Sequence, residues 1–263
     1  MSPSSYDAIP DFGLLYDHVP LYQARADIAF YVAQAKAARG PILELGCGTG
    51  RILLPIARAG CTITGIDSSP AMLERCRANL DNEQKAVQAC VTLKQQTLLD
   101  LDLGKSFPLA IAPFRVFQHL TKVEDQLRAL AGIHRHLEPG GRLVFDVFNP
   151  DFARLVGADG QEHDETGEIM LPDGRSFHRT YRIVRVHWSL QTSDSELIYY
   201  VTPRPGAAVQ RYVQAFPLRW YLRAELEHLV ARAGFRLREI YGDFSGGPLV
   251  DGAPEQVVVA ERP

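Results

Sequence analysis

ILELGCGTG, residues 42–50, is the stretch that decides the fold, because a short apolar segment runs directly into three closely spaced glycines. An apolar run of this length bounded by glycine is typical of a buried strand, and the residues after Gly50 have helical spacing. Glycines at a strand-to-helix turn let backbone N–H groups approach a ligand closely, because no Cβ intervenes. The stretch therefore predicts a first strand followed by a ligand-binding turn.

Strands and helices alternate through residues 41–150, after an N-terminal helical stretch. The helix after the second strand is predicted to begin at Pro70, with Ser69 as its N-cap. Thr121 to Glu124 has the pattern of a capping box, and the helix that it opens is expected to end at Pro139. The predicted strands of this part are 41–45, 61–67, 91–98, 107–112 and 142–148.

After residue 150 the alternation gives way to a strand-like pattern with turn signals, from about 167 to 214, and then to a helix and two last strands. We therefore predict an α/β fold: a doubly wound, mostly parallel seven-stranded sheet with an antiparallel β insertion after the fifth strand, lying over the sheet. A single domain is expected. Its predicted parts are an N-terminal helical lid (1–40), a cofactor-binding core (41–150), a β-rich insertion that caps the acceptor (151–218), and a C-terminal helix and β-hairpin (219–263).

The net charge of -3 in a chain of 263 residues argues against a broad electrostatic attraction to nucleic acid or to an anionic membrane. The cysteines have neither CxxC nor zinc-ligand spacing, so we expect reduced thiols and no metal site. No apolar run reaches the roughly 18 residues of a membrane helix, and the N-terminus is unlike a secretory signal. A cytoplasmic protein without membrane contact is expected, and a homodimer is compatible with the sequence.

The spacing of Asp67 indicates the kind of ligand. Asp67 ends the second predicted strand about 20 residues past the glycines, where a carboxylate accepts hydrogen bonds from both hydroxyls of a ribose. A dinucleotide site would have a third glycine where Arg51 stands, and the carboxylate of Glu44 would repel a pyrophosphate. A ligand with ammonium and sulfonium charges is attracted by the same carboxylate, so it fits this loop better.

With the glycine loop, three further stretches resemble class I S-adenosylmethionine-dependent methyltransferases: GIDSSPAML (65–73), FPLAIAPFRVFQHL (107–120) and LEPGGRLVFDVFNP (137–150). The end of the chain, AGFRLREIYGDF (233–244) with VVVAERP (257–263), resembles the final hairpin of that fold. The resemblance implies an enzyme that binds S-adenosylmethionine, transfers its methyl group to another molecule and releases S-adenosylhomocysteine.

The resemblance also implies roles for individual residues. Glu44 and Gly46 would face the methionine end of the cofactor, and Asp67 would hold the ribose, with Ser68 and Met72 beside the adenosine. Cys47, although within the loop, is expected to be a small buried residue and not a nucleophile. The other predicted cofactor contacts are Arg25, Cys47, Gly48, Arg51, Thr97, Leu98 and Pro113.

Two of these contacts carry alternatives. The family often has an acidic residue near the adenine amino group, where this chain has Thr97; Asp100 would substitute if the loop shifts. Arg25 resembles an arginine that pairs with the cofactor carboxylate in some relatives, and its alternative is a solvated helix face.

Methyl transfer is an in-line displacement, for which the protein aligns the nucleophile, the methyl group and the sulfur and excludes water. His119 follows the fourth strand and is our first candidate for a general base, and its alternative is a hydrogen bond to backbone at a helix entry. Tyr16 and Tyr22, on an N-terminal segment able to fold over the cofactor, are the second candidates. Their alternative is aromatic packing.

The acceptor is predicted to be a small molecule methylated on N or O. Enzymes of this fold that methylate nucleic-acid amino groups carry an Asn/Asp-Pro-Pro-aromatic tetrad after the fourth strand, where this chain reads APFR, residues 112–115. The strand-rich insertion resembles that of small-molecule N-methyltransferases acting on glycine or nucleotide-linked amino sugars. The alternatives are a nucleic-acid or protein methyltransferase and a non-catalytic S-adenosylmethionine-binding protein. An NAD-dependent oxidoreductase is disfavoured by Arg51.

Overall fold

Residues 9–263 are described by a computed structural model of the chain. Their contacts divide into two compact units. The larger unit comprises residues 26–150 and 220–263, and the smaller unit comprises residues 9–25 and 151–219. The predicted N-terminal part, 1–40, is therefore divided near residue 25, and its first eight residues lie outside the described range.

Within the described residues, the larger unit holds a seven-stranded sheet in the order β10-β11-β5-β4-β1-β2-β3. Neighbouring strands run parallel except at β11, which is antiparallel to both β5 and β10. The predicted mostly parallel sheet is confirmed. Its strands are β1 (Ile42–Leu45), β2 (Ile63–Asp67), β3 (Val91–Gln95), β4 (Phe107–Ala112), β5 (Leu137–Phe148), β10 (Arg236–Tyr241) and β11 (Glu255–Glu261).

Helices pack on both faces of the sheet, because the strand order reverses at β1 and helices contribute to the hydrophobic clusters on both sides. Ser69 caps the helix that begins at Pro70, since its Oγ accepts a hydrogen bond from the Met72 backbone N–H at 3.2 Å. The helices are α3 (Asp27–Ala38), α4 (Leu53–Arg58), α5 (Pro70–Asp81), α6 (Lys85–Gln88), α7 (Val123–Arg135) and α9 (Arg223–Arg232).

The central strand β1 is buried along its whole length, which explains its nearly continuous apolar sequence. Leu43 and Leu45 belong to one hydrophobic cluster, and Ile42 belongs to a second cluster. Because successive side chains of a strand point to opposite faces, the two clusters are the cores on the two sides of the sheet. A charged residue in this strand, Glu44, therefore lies between packed layers.

The smaller unit contains an antiparallel four-stranded sheet in the order β6-β7-β8-β9, which confirms the predicted β insertion. Arg179 is buried in it, and its guanidinium donates to the hydroxyl of Tyr22 at 2.5 Å and pairs with Glu165 at 2.7 Å. The elements of this unit are α1 (Phe12–Asp17), α2 (Pro20–Gln23), α8 (Phe152–Val156), β6 (His163–Met170), β7 (Ser176–His187), β8 (Thr192–Thr202) and β9 (Gln210–Arg219).

Two local predictions were wrong. The helix that follows Thr121, α7, spans Val123–Arg135 and so ends before Pro139, where the sequence placed its end. The fifth strand begins at Leu137, five residues earlier than predicted, because hydrogen bonds with the backbone of Arg262 hold Gly140 and Gly141 in place. In residues 9–263, no helix has the length and apolar character that a membrane crossing needs.

Candidate functional site

The glycine loop follows β1, and the strands β2 and β4 lie on opposite sides of β1 in the sheet. Open α/β sheets bind ligands where the strand order reverses in this way. Gly46 has φ +69°, a conformation that glycine adopts without strain. A Cβ at this position would lie 2.6 Å from Cγ2 of Val116. Glycine is therefore required at position 46 both by the backbone conformation and by the close approach of the segment after β4.

Asp67, at the end of β2, is bound to the glycine loop. Its Oδ2 accepts a hydrogen bond from the Gly48 N–H at 2.8 Å, and its Oδ1 accepts one from the Ser69 N–H at 2.9 Å. The half-buried side chain is thus held by two backbone donors. An ionised carboxylate has about four lone-pair sites, and binding of the ribose hydroxyls to them stays a prediction.

Ser68 and Met72 both follow Asp67 in the sequence. Ser68 is exposed, whereas Met72 is buried and its Cε lies 3.4 Å from the position of a Cβ on Gly48. Cys47 is buried, as expected, and its N–H donates to the Ile66 carbonyl at 2.9 Å. The structure therefore brings together Gly48, Asp67 and Met72, three of the predicted cofactor-binding residues.

Glu44 is the unusual group of this site. Its side chain is buried, and within the described residues its Oε2 has no hydrogen-bond partner. Burial, followed by the neighbouring Cys76, raises the pKa of this carboxyl well above the ordinary value, although Arg51 acts in the opposite direction. A buried oxygen without a partner is costly, and an ammonium group would offset that cost. The methionine end of S-adenosylmethionine carries such a group, so the residues present fit this cofactor.

Binding of S-adenosylhomocysteine is predicted to release a proton from Glu44. The raised pKa keeps the proton on the free protein to higher pH than on an exposed glutamate, and an adjacent ammonium lowers that pKa. Proton release is therefore expected between the pKa values of the bound and the free protein. Calorimetry in buffers of different ionisation enthalpy measures it.

Glu44→Gln should abolish the buffer dependence, whereas Glu138→Gln, at an exposed position of the same unit, should retain it. Equal heats in all buffers for the unmodified chain would contradict the assignment.

Thr97 lies in the segment after β3 and caps a short 3₁₀ turn. Thr97 Oγ1 accepts a hydrogen bond from the Leu99 N–H at 2.9 Å and begins the short turn Leu98–Asp100. Asp100, the suggested substitute, pairs with Arg128. Contacts of Thr97 and Leu98 with the adenine therefore stay predictions.

The end of β4 carries the predicted Pro113 and His119. Pro113 is buried next to the strand end, and His119 closes a short 3₁₀ turn, Val116–His119. The His119 side chain is exposed to solvent, yet the surrounding protein lowers its pKa to about 4 by desolvation. The lowered pKa leaves the imidazole neutral at pH 7.

Arg51, whose contact with the cofactor stays a prediction, lies in a buried ion pair. Its two terminal nitrogens donate to the two carboxylate oxygens of Asp27 at 2.8 and 2.6 Å, and its guanidinium lies 4.8 Å from the ring centre of Phe114. The structure therefore uses Arg51 to join α3, the glycine loop and the segment after β4.

The remaining candidates, Tyr16, Tyr22 and Arg25, belong to the smaller unit. The rings of Tyr16 and Tyr22 lie 4.7 Å apart, and Arg25 is half-buried after α2. Their roles toward the cofactor and the acceptor, like the capping role of the insertion, stay predictions.

Sequence reasoning missed Asp27, Tyr31 and Asp146. Asp146 is buried in β5, and its Oδ1 accepts a hydrogen bond from the Tyr31 hydroxyl at 2.7 Å. The signal for Asp146 was present, since it is a lone carboxylate within an apolar strand. Nothing in the sequence indicated the partners of Asp27 and Tyr31.

The sheet order, the glycine loop and the fixed carboxylate of Asp67 define the class I methyltransferase fold. Residues 43–143 match a family model described as a methyltransferase domain. The chain is accordingly an S-adenosylmethionine-dependent methyltransferase, as predicted.

Comparisons with individual proteins cover nearly the whole chain. It is 24% identical to a cypemycin N-terminal methyltransferase from a Streptomyces species, over 99% of this chain and 98% of the relative. It is 27% identical to the dTDP-3-amino-3,4,6-trideoxy-alpha-D-glucopyranose N,N-dimethyltransferase of Streptomyces venezuelae, over 89% of this chain and 91% of that protein. The solved structure of the CcbJ methyltransferase from Streptomyces caelestis superposes with a TM-score of 0.77 and 25% identity, covering 99% and 98% of the two chains.

Proposed function

We propose that this chain transfers the methyl group of S-adenosylmethionine to an amine nitrogen of a small molecule. The observation that carries the proposal is the position of His119 in the turn after β4, at the edge of the sheet where the ligand binds, together with its lowered pKa. A general base works best when its pKa lies near the operating pH, so this imidazole is a poor base for removing a proton from a hydroxyl group. An amine attacks in its neutral form and needs no such base.

In this proposal His119 accepts a hydrogen bond from the amine and orients its lone pair toward the methyl group. This changes the role predicted from the sequence, where His119 was the candidate base. The names of similar proteins support an amine acceptor, because both curated relatives described above are N-methyltransferases, one acting at a peptide N-terminus and one on a nucleotide-linked amino sugar. Those two acceptor types define the compounds to test.

The test incubates the purified chain and S-adenosylmethionine with a dTDP-linked amino sugar, with a peptide bearing a free N-terminal amine, and with the hydroxyl analogue of the sugar. Mass spectrometry is expected to show methylation of an amine and none of the hydroxyl analogue. Methylation of the hydroxyl analogue alone would contradict the proposal, as would the absence of product from both amines.

His119→Ala is predicted to lower turnover of the amine by about 3- to 10-fold, the value of one neutral hydrogen bond, with unchanged affinity for S-adenosylhomocysteine. His228→Ala removes an exposed histidine of α9 and is the matched control, with no expected effect. Loss of cofactor affinity together with turnover would instead assign His119 a structural role.

A further inference from the structure

Phe114 and Arg115, directly after β4, have φ values of +59° and +67°. The left-handed region is unfavourable for bulky residues, and two such residues in succession persist only where the surrounding structure holds them. Residues in this conformation are concentrated at functional sites. We refer to residues 114–115 as the strained turn. Contacts with the surrounding structure must hold it, and its conformation indicates a functional role.

Asp146 is the main support of the strained turn. Its Oδ1 accepts hydrogen bonds from the Phe114 N–H at 2.8 Å and from the Tyr31 hydroxyl at 2.7 Å. Asp146 and Tyr31 are fully buried, on β5 and α3 respectively. One oxygen atom of a buried carboxylate thus joins the backbone of the turn to two elements of the core.

The side chains of the strained turn are also held. The Arg51 guanidinium lies 4.8 Å from the ring centre of Phe114. Arg115 pairs with Glu255 at 3.1 Å and lies 5.5 Å from the ring centre of Phe148. Contacts on both residues therefore oppose relaxation to an ordinary backbone conformation.

The position of the strained turn indicates its purpose. The next residue, Val116, approaches Gly46 so closely that a Cβ on Gly46 would lie 2.6 Å from Val116 Cγ2. Gly46 follows β1, whose neighbour in the sheet is β4. The strained turn therefore packs against the side of the glycine loop that lies nearer Glu44 than Asp67. A shift of the turn would move that side of the loop.

We propose that Asp146 is a positioning residue that holds the strained turn, and through it the reacting end of the bound cofactor. This inference rests on the methyltransferase activity but not on the identity of the acceptor. The adenosine side of the site, around Asp67, lies on β2 and is expected to bind independently of the turn.

A pair of substitutions at Phe114 tests the backbone conformation. Phe114→Gly retains the N–H that Asp146 accepts and adopts positive φ without strain, whereas Phe114→Pro lacks the N–H and fixes φ near about −65°. Both variants lose the ring. The readout is the NMR signal of S-adenosylmethionine labelled with ¹³C in its methyl group, bound without any acceptor, and the proteins are checked for folding by thermal melting.

We expect the methyl resonance of the Phe114→Gly complex to match that of the unmodified protein, and that of Phe114→Pro to move. Affinity for S-adenosylhomocysteine should stay within about threefold in both variants, since the adenosine contacts are intact. Equal displacement of the resonance in both variants, or in neither, would overturn the proposal.

Substitutions of Asp146 test the support itself. Asp146→Asn keeps a carbonyl oxygen able to accept both hydrogen bonds and is expected to keep the methyl resonance. Asp146→Ala should displace it and, with an accepted amine, lower kcat by about 10- to 100-fold with little change in KM for the cofactor. A folded Asp146→Ala protein with an unchanged resonance would overturn the proposal; if that variant does not fold, the Phe114 pair decides. If the protein methylated no amine, the proposed function would be contradicted. The resonance experiment would still test the role of Asp146, because it uses no acceptor.

Discussion

Replacing Asp27 with alanine is expected to lower the free energy of unfolding by about 3–5 kcal/mol, as for other buried ion pairs that lose one partner. The Asp27 side chain is 0% exposed and that of Arg51 is 6% exposed, and the guanidinium spans both carboxylate oxygens. Without Asp27, the Arg51 charge loses this partner inside the protein. Chemical denaturation followed by circular dichroism measures the loss.

Two controls separate the contribution of the ion pair to stability from the contributions of the individual side chains. Glu227→Ala breaks an exposed i,i+4 pair with Arg223, which is expected to contribute at most about 0.5 kcal/mol. The double variant Asp27→Ala with Arg51→Ala should lose less than the sum of the two single losses, because no isolated charge remains. A loss for Asp27→Ala as small as that for Glu227→Ala would contradict the buried ion pair.

The same variants decide the role of Arg51 toward the cofactor. If Arg51 has only a structural role, the folded fraction of the Arg51→Ala protein should bind S-adenosylhomocysteine normally. Arg51 directly follows the glycine loop in the sequence, and its guanidinium pairs with Asp27 on α3.

The features that the sequence predicted correctly depend on local chemistry. Apolar runs ending in glycine located β1, and Ser69 followed by Pro70 located the start of α5 with its cap. Each signal lies within a few residues of the structure that it specifies. Backbone conformation and hydrogen bonding at those positions follow from the residue types alone.

The features that escaped prediction depend on residues far apart in the chain. Asp146 and Tyr31 are separated by 115 positions, and the start of β5 depends on hydrogen bonds with Arg262. The end of α7 at Arg135 is followed by a contact of the same kind, in which Nε2 of His136 accepts a hydrogen bond from the Leu103 N–H at 3.0 Å. Such pairings require the fold to be known first.

Asp67→Ala is expected to weaken binding of S-adenosylhomocysteine by about 2–3 kcal/mol, a rise in Kd of roughly 30- to 150-fold. The carboxylate loses the proposed bonds to the ribose and also its observed bonds to the Gly48 and Ser69 N–H groups. The loop is thus less well organised for the ligand, in addition to losing direct contacts. Isothermal titration calorimetry measures the affinity.

Asp67→Asn provides a second test. Asparagine keeps the shape of aspartate, unlike alanine, but like alanine it cannot accept hydrogen bonds from both backbone donors. The asparagine amide has one acceptor oxygen, so its NH₂ group must face one of the two backbone donors that Asp67 now satisfies. A loss of affinity comparable to that of Asp67→Ala is therefore expected despite the preserved shape. Asp81→Ala, at an exposed position at the end of α5, is the control for removing a carboxylate from the same unit. If Asp67→Ala bound S-adenosylhomocysteine as tightly as Asp81→Ala, the ribose would have to lie elsewhere, and the loop would be a structural turn fixed by a carboxylate.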